Sequence, residues 1–181
     1  MVPACCSSHS DRIWLAGELQ THTFAGDQRM AGMTDVLRSR ALDLARHIEC
    51  PWSPPDARQH LGDVFAGTDE RPTAIIAIND RVALGVYQAA ARDGLRVPDD
   101  LSVISFDNSD LAWWLDPALT SISLPYREMA RRAVATLLDG SGQAVVEYVP
   151  MPLHTRESVA SPQPGGSART GRSALRRPAR D

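Results

Sequence analysis

The chain has 181 residues, of which 43 % are hydrophobic, so it is long enough to bury the core of one ordinary domain. No apolar run approaches the ~20 residues of a membrane span, and the first residues lack the basic region and apolar stretch of a signal peptide. We therefore expect a cytoplasmic protein without a membrane partner. The net charge of −3 is unevenly distributed, because residues 160–181 hold five arginines and one aspartate and leave an acidic body, which is a poor binder of duplex DNA.

The cysteines and histidines predict neither a disulfide nor a metal site. Cys5 and Cys6 are adjacent, Cys50 makes the count odd, and no Cys/His spacing resembles a zinc site. The sequence also has no nucleophile elbow and no phosphate-binding loop. We therefore expect reduced thiols, no metal, no cofactor and no catalytic residues, and we predict that the protein is not an enzyme.

The first half of the chain predicts two strands and two helices. Residues 12–16 are a short apolar run, which predicts a strand, and residues 27–40 have apolar side chains at helical spacing. Residues 46–49 are a candidate for a short strand. Ser53, followed by two prolines, predicts the start of a helix that runs to about residue 66, since serine can cap a helix and proline suits its first turn.

The second half begins with a continuous apolar run over residues 74–78, typical of a strand that is buried on both faces of a parallel sheet. The elements that follow are a helix over 80–93, a strand over 101–106, a helix over 126–138 and a final strand over 145–153. Gly94 and Gly140 are placed to end the two helices. This alternation of strands and helices predicts an α/β fold with a parallel sheet flanked by helices.

The composition divides the chain into three segments. Residues 1–10 are small and polar, which predicts a disordered start. Residues 11–159 carry the predicted elements and form one folded domain. Residues 160–181 are rich in Ser, Pro, Gly and Arg, cannot support a core, and are predicted to form a disordered tail.

Polar side chains follow two of the predicted buried strands. Asn79 and Asp80 come after the strand over 74–78, and Asp107 and Asn108 come after the next strand. Ligands bind beyond the carboxyl ends of the strands in parallel sheets, so these residues predict a polar cleft for a hydroxyl-bearing ligand. The alternative is that Asp80 and Asp107 only cap the helices that follow them.

Several motifs, in a fixed order and spacing, resemble the LacI/GalR family of bacterial transcriptional repressors. They are RMAG at 29–32, WS at 52–53, PTAIIAIND at 72–80, ALG at 83–85, GLRVP at 94–98, LSVISFD at 101–107, LTSI at 119–122 and RES at 156–158. The resemblance covers about residues 12–158. It implies a periplasmic-binding-protein-like fold of type I, represented here by the C-terminal subdomain with part of the N-terminal subdomain.

The resemblance also implies four effector contacts. Arg29 matches the arginine that binds hydroxyl or anionic groups, and Trp52 matches the aromatic residue that stacks on the ligand ring. Asn79 matches an amide that donates to and accepts from hydroxyls, and Asp107 matches a carboxylate that accepts from vicinal hydroxyls or base nitrogens. The alternatives are that Trp52 simply packs and that Arg29 is a solvated helix residue.

A partner surface is implied as well. In the family, the region of Trp113, Trp114 and Leu115 helps to form a dimer interface together with Leu84 on the neighbouring helix, and adjacent tryptophans are effective anchors at the centre of an interface. The expected partners are therefore a small-molecule effector, with a sugar as the first candidate, and a second copy of the chain. DNA is expected as a partner only through a helix-turn-helix headpiece, which this sequence does not resemble anywhere.

The function predicted from the resemblance is effector binding and dimerisation in a repressor without its headpiece. The alternatives are a periplasmic-type sugar-binding protein and a non-functional gene fragment. In the family, the helix over 126–138 packs on the N-terminal subdomain, most of which has no counterpart in this sequence. We therefore expect this helix to be the least well packed element.

Overall fold

A computed structural model of the protein describes residues 12–19, 24–68, 70–140 and 146–160. The segments predicted to be disordered, 1–10 and 160–181, lie outside the described residues apart from Ala160, whose N–H donates to Ser102 Oγ at 3.2 Å.

Strands and helices alternate as the sequence predicts, with two further short elements over residues 111–114 and 120–123 that were not predicted, and most other bounds agree within a few residues. The elements are β1 (Ile13–Ala16), α1 (Phe24–Ser39), β2 (Leu44–Ile48), α2 (Pro54–Gly67), β3 (Ala74–Ala77), α3 (Asp80–Arg92), β4 (Ser102–Asp107), α4 (Leu111–Trp114), β5 (Thr120–Ser123), α5 (Tyr126–Asp139) and β6 (Leu153–His154). Ser53 is the N-cap of α2, and Gly140 ends α5 in the left-handed conformation, as expected.

The strands of the described residues form one sheet in the order β2-β1-β3-β4-β5-β6. Strands β1 to β5 are parallel, and β6 pairs antiparallel with β5. The chain moves outward in one direction from β1 to β2 and in the other direction from β3 onward. The carboxyl ends of β1 and β3 therefore flank a point where the winding reverses, which is where ligands bind in open α/β sheets.

The core lies between the sheet and its helices, and α2 packs directly on α3. Ile75 and Ala77 of β3 and Val82 and Val86 of α3 are fully buried or nearly so. Gly85 makes the close approach of the two helices possible, because a methyl group there would overlap α2. The position of α3, and with it the position of Asn79 at its start, depends on this contact.

The predicted strand over 145–153 is wrong for most of its length. Residue 145 lies outside the described residues, residues 146–152 are not in a strand, and only Leu153–His154 pair with β5. Pro150 and Pro152 explain the difference, since proline has no N–H to donate to a strand ladder. The prediction of a wholly parallel sheet is also incomplete, because β6 runs antiparallel.

The segment from Asp110 to Leu115, for which the sequence patterns predicted no helix or strand, contains the short helix α4. Its N-cap, Asp110, is of a residue type that suits this position but makes no side-chain capping hydrogen bond.

Helix α5 packs poorly against the rest of the protein, as the sequence predicts. Every residue of α5 is described and none is buried, and the apolar side chains of Met129, Val134, Leu137 and Leu138 are exposed. An amphipathic helix is normally stabilised by burial of its apolar face. The prediction that this helix packs poorly is therefore confirmed.

Candidate functional site

A pocket opens at the carboxyl edge of the sheet, beside the point where the winding reverses. Its volume is about 250 Å³, just below the roughly 300–1,000 Å³ that is usual for small-ligand sites. It is lined by Arg29, Trp52, Ile78, Asn79, Arg81, Asp107, Leu124 and Tyr126. The structure thus brings together all four residues predicted to contact an effector, from four separate segments of the chain.

Asp107 ends β4 and is the one carboxylate in the pocket lining. Its backbone has a φ of +104°, a region that non-glycine residues rarely adopt, and such conformations cluster at functional sites. Within the described part of the chain its carboxylate forms no hydrogen bond. Burial raises the pKa of Asp107 and the charge of Asp80 raises it further, whereas Arg29 lowers it. The carboxylate is therefore a free, partly desolvated acceptor.

Asn79 caps helix α3 with the oxygen of its side-chain amide. Its Oδ1 accepts the backbone N–H of Val82 at 2.9 Å and so caps α3, while the residue is 5 % exposed. Capping fixes the orientation of the amide, because only the oxygen can accept. The Nδ2 group makes no hydrogen bond within the described part of the chain, and Oδ1 keeps a second lone pair, so the expectation that Asn79 both donates to and accepts from a ligand stays a prediction.

Trp52 follows β2 and is held by its indole nitrogen, which donates to the backbone oxygen of Glu18 at 2.7 Å. The ring remains 42 % exposed, so Trp52 is not a core residue. Arg29 lies on α1, and its guanidinium carbon is 5.0 Å from the centroid of the Phe106 ring, a cation–π geometry. Both side chains are thus anchored at the pocket.

Four further residues line the pocket that the sequence did not single out: Ile78, Arg81, Leu124 and Tyr126. Arg81 and Tyr126 lie in the first turns of α3 and α5, the helices that follow β3 and β5. The position directly after a predicted buried strand was the available signal for Arg81, whereas β5 was not predicted and gave no such signal for Tyr126.

Asp80 neither caps a helix nor lines the pocket, and the alternative that it caps α3 is wrong because Asn79 takes that place. Asp80 is 1 % exposed, and its Oδ1 accepts the hydroxyls of Ser105 at 2.5 Å and Ser121 at 2.7 Å. Its Oδ2 accepts the backbone N–H of Ser109 at 2.7 Å and the Ser109 hydroxyl at 2.8 Å. This buried network joins α3 to β4, β5 and the turn that carries Asp107.

The other alternative, that Asp107 caps a helix, is also wrong, because α4 begins at Leu111 after the N-cap residue Asp110. Asn108 shows instead how the turn is held. Its Oδ1 accepts from Arg156 at 2.6 Å, and its Nδ2 donates to Ser123 Oγ at 2.9 Å. Arg156 of the RES motif therefore helps to hold the turn that carries Asp107 and Asn108.

Three of the predicted interface residues, Trp113, Trp114 and Leu115, lie on or directly after α4, and the fourth, Leu84, lies on α3. Trp113 and Trp114 are 64 % and 76 % exposed, while Leu84 and Leu115 are half-buried, and α3 contacts α4. The guanidinium carbon of Arg156 lies 4.0 Å from the centroid of Trp113, so the inner face of this ring is covered and its outer face is open.

Two other kinds of site are absent from the described part of the chain. In residues 12–19, 24–68, 70–140 and 146–160, no three His, Cys, Asp or Glu side chains are grouped so that they could hold a metal ion. None of the helices described is both long enough and apolar enough to cross a membrane.

Comparison with known proteins identifies the family. The sequence profile of the periplasmic binding protein-like domain matches residues 4–159. The chain belongs to this family. The resemblance to LacI-type repressors is confirmed too, because the "HTH-type transcriptional repressor PurR" of Vibrio parahaemolyticus is 32 % identical over 139 residues, which cover 74 % of this chain and 40 % of that protein. The "HTH-type transcriptional repressor CytR" of Escherichia coli K12 is 45 % identical over 83 residues, 42 % of this chain and 24 % of that protein.

Solved structures agree with these sequence matches. A dimeric Lac repressor with a C-terminal deletion is similar with a TM-score of 0.76 and 29 % identity, over 84 % of this chain and 57 % of that chain. The Lac repressor dimer bound to operator and the anti-inducer ONPF is similar with a TM-score of 0.76 and 27 % identity, over 84 % of this chain and 54 % of that chain. The predicted α/β fold of the periplasmic-binding-protein-like type is therefore confirmed. The chain spans about two-fifths of the length of the PurR relative that it matches.

Proposed function

We propose that this chain is the effector-binding and dimerising part of a LacI-type transcriptional repressor, and that its effector is a small hydroxylated molecule of the size of a monosaccharide. The observation that carries the proposal is the convergence of Arg29, Trp52, Asn79 and Asp107 on one pocket at the carboxyl edge of a parallel sheet. The curated relatives named above are repressors, which supports a regulatory role.

The pocket chemistry matches such a ligand. The Asp107 carboxylate can accept from two neighbouring hydroxyls, the Asn79 amide and the Arg29 guanidinium can donate to ring or hydroxyl oxygens, and the exposed face of Trp52 can stack on the apolar face of a sugar ring. These groups bind and orient a molecule without supplying a nucleophile. We therefore assign binding, and not catalysis, to the site, and place this role in the cytoplasm.

Operator binding is assigned to a DNA-binding headpiece and not to the residues of this chain. The proposal requires only that the folded part responds to its effector and pairs with a second copy. Both properties can be measured on the protein itself.

The variant Asp107→Asn tests the ligand site. We expect D-glucose and D-ribose, titrated while amide resonances are followed by NMR, to shift the signals of pocket residues such as Asn79. In the Asp107→Asn variant the affinity is expected to fall about ten-fold or more, since a charge-assisted hydrogen bond is lost. The control Asp63→Asn changes an exposed carboxylate on α2 and is expected to keep the affinity.

The same variant has a second readout that does not depend on the ligand. The pKa of Asp107 is raised in the folded protein above its ordinary value of 3.8, so its ionisation opposes folding as the pH rises through the folded pKa. Asp107→Asn is therefore expected to raise Tm at neutral pH, with the difference vanishing below about pH 3.8. A variant that binds both sugars as well as the unchanged protein would contradict the proposed site.

The proposed dimer contact is built from Leu84, Trp113, Trp114 and Leu115. Two adjacent exposed tryptophans form an apolar patch that usually marks a partner surface. The Lac repressor structure described above is a dimer, which supports the same assembly here.

Trp114→Ser is expected to weaken self-association about ten-fold or more, because truncation of a central aromatic anchor costs about 2 kcal/mol. Sedimentation velocity across a concentration series measures this change. Val36→Ser removes an exposed apolar side chain on α1 and serves as the control. If the protein without any substitution were a monomer at high micromolar concentration, this contact would be ruled out.

A further inference from the structure

We infer that the effector carries an anionic group, a phosphate or a carboxylate, which Arg81 binds together with Arg29. This inference rests on the proposed function and narrows the chemical class of its ligand. Arg81 is the residue that gives the pocket its second guanidinium group, and it was not among the contacts expected from the sequence.

The charges that line the pocket are unequal. Two arginines, Arg29 and Arg81, face one carboxylate, that of Asp107. A neutral sugar can satisfy Asp107 through its hydroxyls, but it leaves the cationic side of the pocket with only neutral acceptors. A guanidinium group has five N–H donors in a fixed fork, which matches the paired oxygens of a carboxylate or a phosphate.

Neither arginine is already neutralised by the protein. Among the described residues, no salt bridge within 4.0 Å involves Arg29 or Arg81, although seven ion pairs are formed by other side chains. Arg29 is close enough to Asp107 to lower its pKa, yet the two groups do not pair. The carboxylate and the guanidinium therefore remain separated, and a ligand can insert between them.

The positions of the two arginines are set by the fold. Arg29 is oriented by its 5.0 Å contact with the Phe106 ring, directly beside Asp107 in the chain. Arg81 lies two residues after the buried Asn79, in the first turn of α3. Because the pocket has a volume of only about 250 Å³, one molecule of monosaccharide size can reach Asp107 with a hydroxyl and Arg81 with an anion.

Replacement of a neutral hydroxyl by an anion should therefore tighten binding. A hydrogen bond to a charged group is stronger than a neutral one by an amount that corresponds to about ten-fold in affinity. The advantage should depend on Arg81, since that side chain adds the unpaired charge.

The experiment compares matched pairs of probes with the 181-residue protein by NMR titration. The probes are D-glucose against D-glucose 6-phosphate and D-glucuronate, D-ribose against D-ribose 5-phosphate, and inorganic phosphate alone. We expect at least one anionic probe to bind about ten-fold more tightly than its parent sugar. The glucuronate and phosphate arms then distinguish a carboxylate from a phosphate.

The variant Arg81→Gln is expected to abolish this advantage, so that a sugar and its anionic form bind with affinities within about two-fold of each other. Arg38→Gln, on the exposed last turn of α1, is the matched control and should keep the advantage. Equal affinity for a sugar and its anionic forms would overturn the inference and leave the proposed function intact. If inorganic phosphate bound as tightly as the sugar phosphates, the proposal that the effector is a hydroxylated molecule would be overturned. If no probe bound at all, the proposed function itself would be contradicted.

Discussion

Replacing Asp80 with alanine is expected to lower the free energy of unfolding by about 3–4 kcal/mol, because the substitution leaves buried donors without their acceptor. The carboxylate accepts from the hydroxyls of Ser105, Ser121 and Ser109 and from the backbone N–H of Ser109. The hydroxyls of Ser105 and Ser121 can still bond each other across their 3.1 Å separation, but both lose their buried charged acceptor, and the partly buried N–H of Ser109 loses its acceptor as well. Denaturant unfolding monitored by circular dichroism measures the loss.

Two comparison variants make the Asp80 result specific. Asp63→Ala removes an exposed aspartate from α2 and is expected to change stability by no more than about 0.5 kcal/mol. Asp80→Asn keeps the shape but places an NH₂ group among donors, so its cost should be intermediate. If Asp80→Ala were as stable as Asp63→Ala, the network would not be the connection between α3 and the Asp107 turn that we describe.

The second large effect is expected at Gly85, where helices α2 and α3 approach each other. A Cβ atom there would lie 2.5 Å from the Cβ of Ala57, 2.7 Å from the backbone oxygen of Pro54 and 2.9 Å from the backbone nitrogen of Arg58. Two of these atoms belong to the backbone and cannot turn aside, so the helices must separate. We expect Gly85→Ala to cost about 2–3 kcal/mol through overpacking.

The same substitution on the opposing helix should have the opposite sign. A Cβ at Gly62 would meet only the end of the Arg92 side chain at 3.8 Å, which is ordinary contact. Gly62→Ala is therefore expected to stabilise the protein by about 0.5–1 kcal/mol, since alanine loses less conformational entropy in a helix. Thermal unfolding of both variants tests the pair, and equal shifts of Tm would contradict the close helix contact.

The order of the elements and the edge that carries the site were predictable from local patterns. The apolar run over 74–78 indicated a buried parallel strand, and this placed Asn79 and the end of β4 at one edge of the sheet. The family motifs then supplied Arg29 and Trp52. Whether these four residues bind an effector remains a prediction that the titrations above test.

The features that the sequence did not predict depend on contacts between distant segments. The sequence left open whether Asp80 faces the polar cleft or caps a helix, and only its contacts with Ser105 and Ser121 show that it does neither. The contact of Arg156 with Asn108 joins residues 48 positions apart, and no local period signals it. The predicted strand over 145–153 is reduced to Leu153–His154, since Pro150 and Pro152 cannot donate to a strand ladder.

Asn79 caps α3 and, in the proposed function, also donates to the effector, and these two roles together would restrict how the pocket can change its ligand. A substitution at residue 79 acts on the donor offered to the ligand and on the cap of α3 at once, and only Asp, Ser, Thr and Gly retain acceptable capping. By contrast, Trp52 and Arg81 have no comparable duty in starting a helix. Divergence of ligand preference among proteins with this architecture should therefore proceed through the residues equivalent to Trp52 and Arg81, with the side chain at residue 79 varying within a small polar set. In a directed-evolution library randomised at all three positions, we expect the stable clones to carry only a few residue types at position 79 and many at the other two.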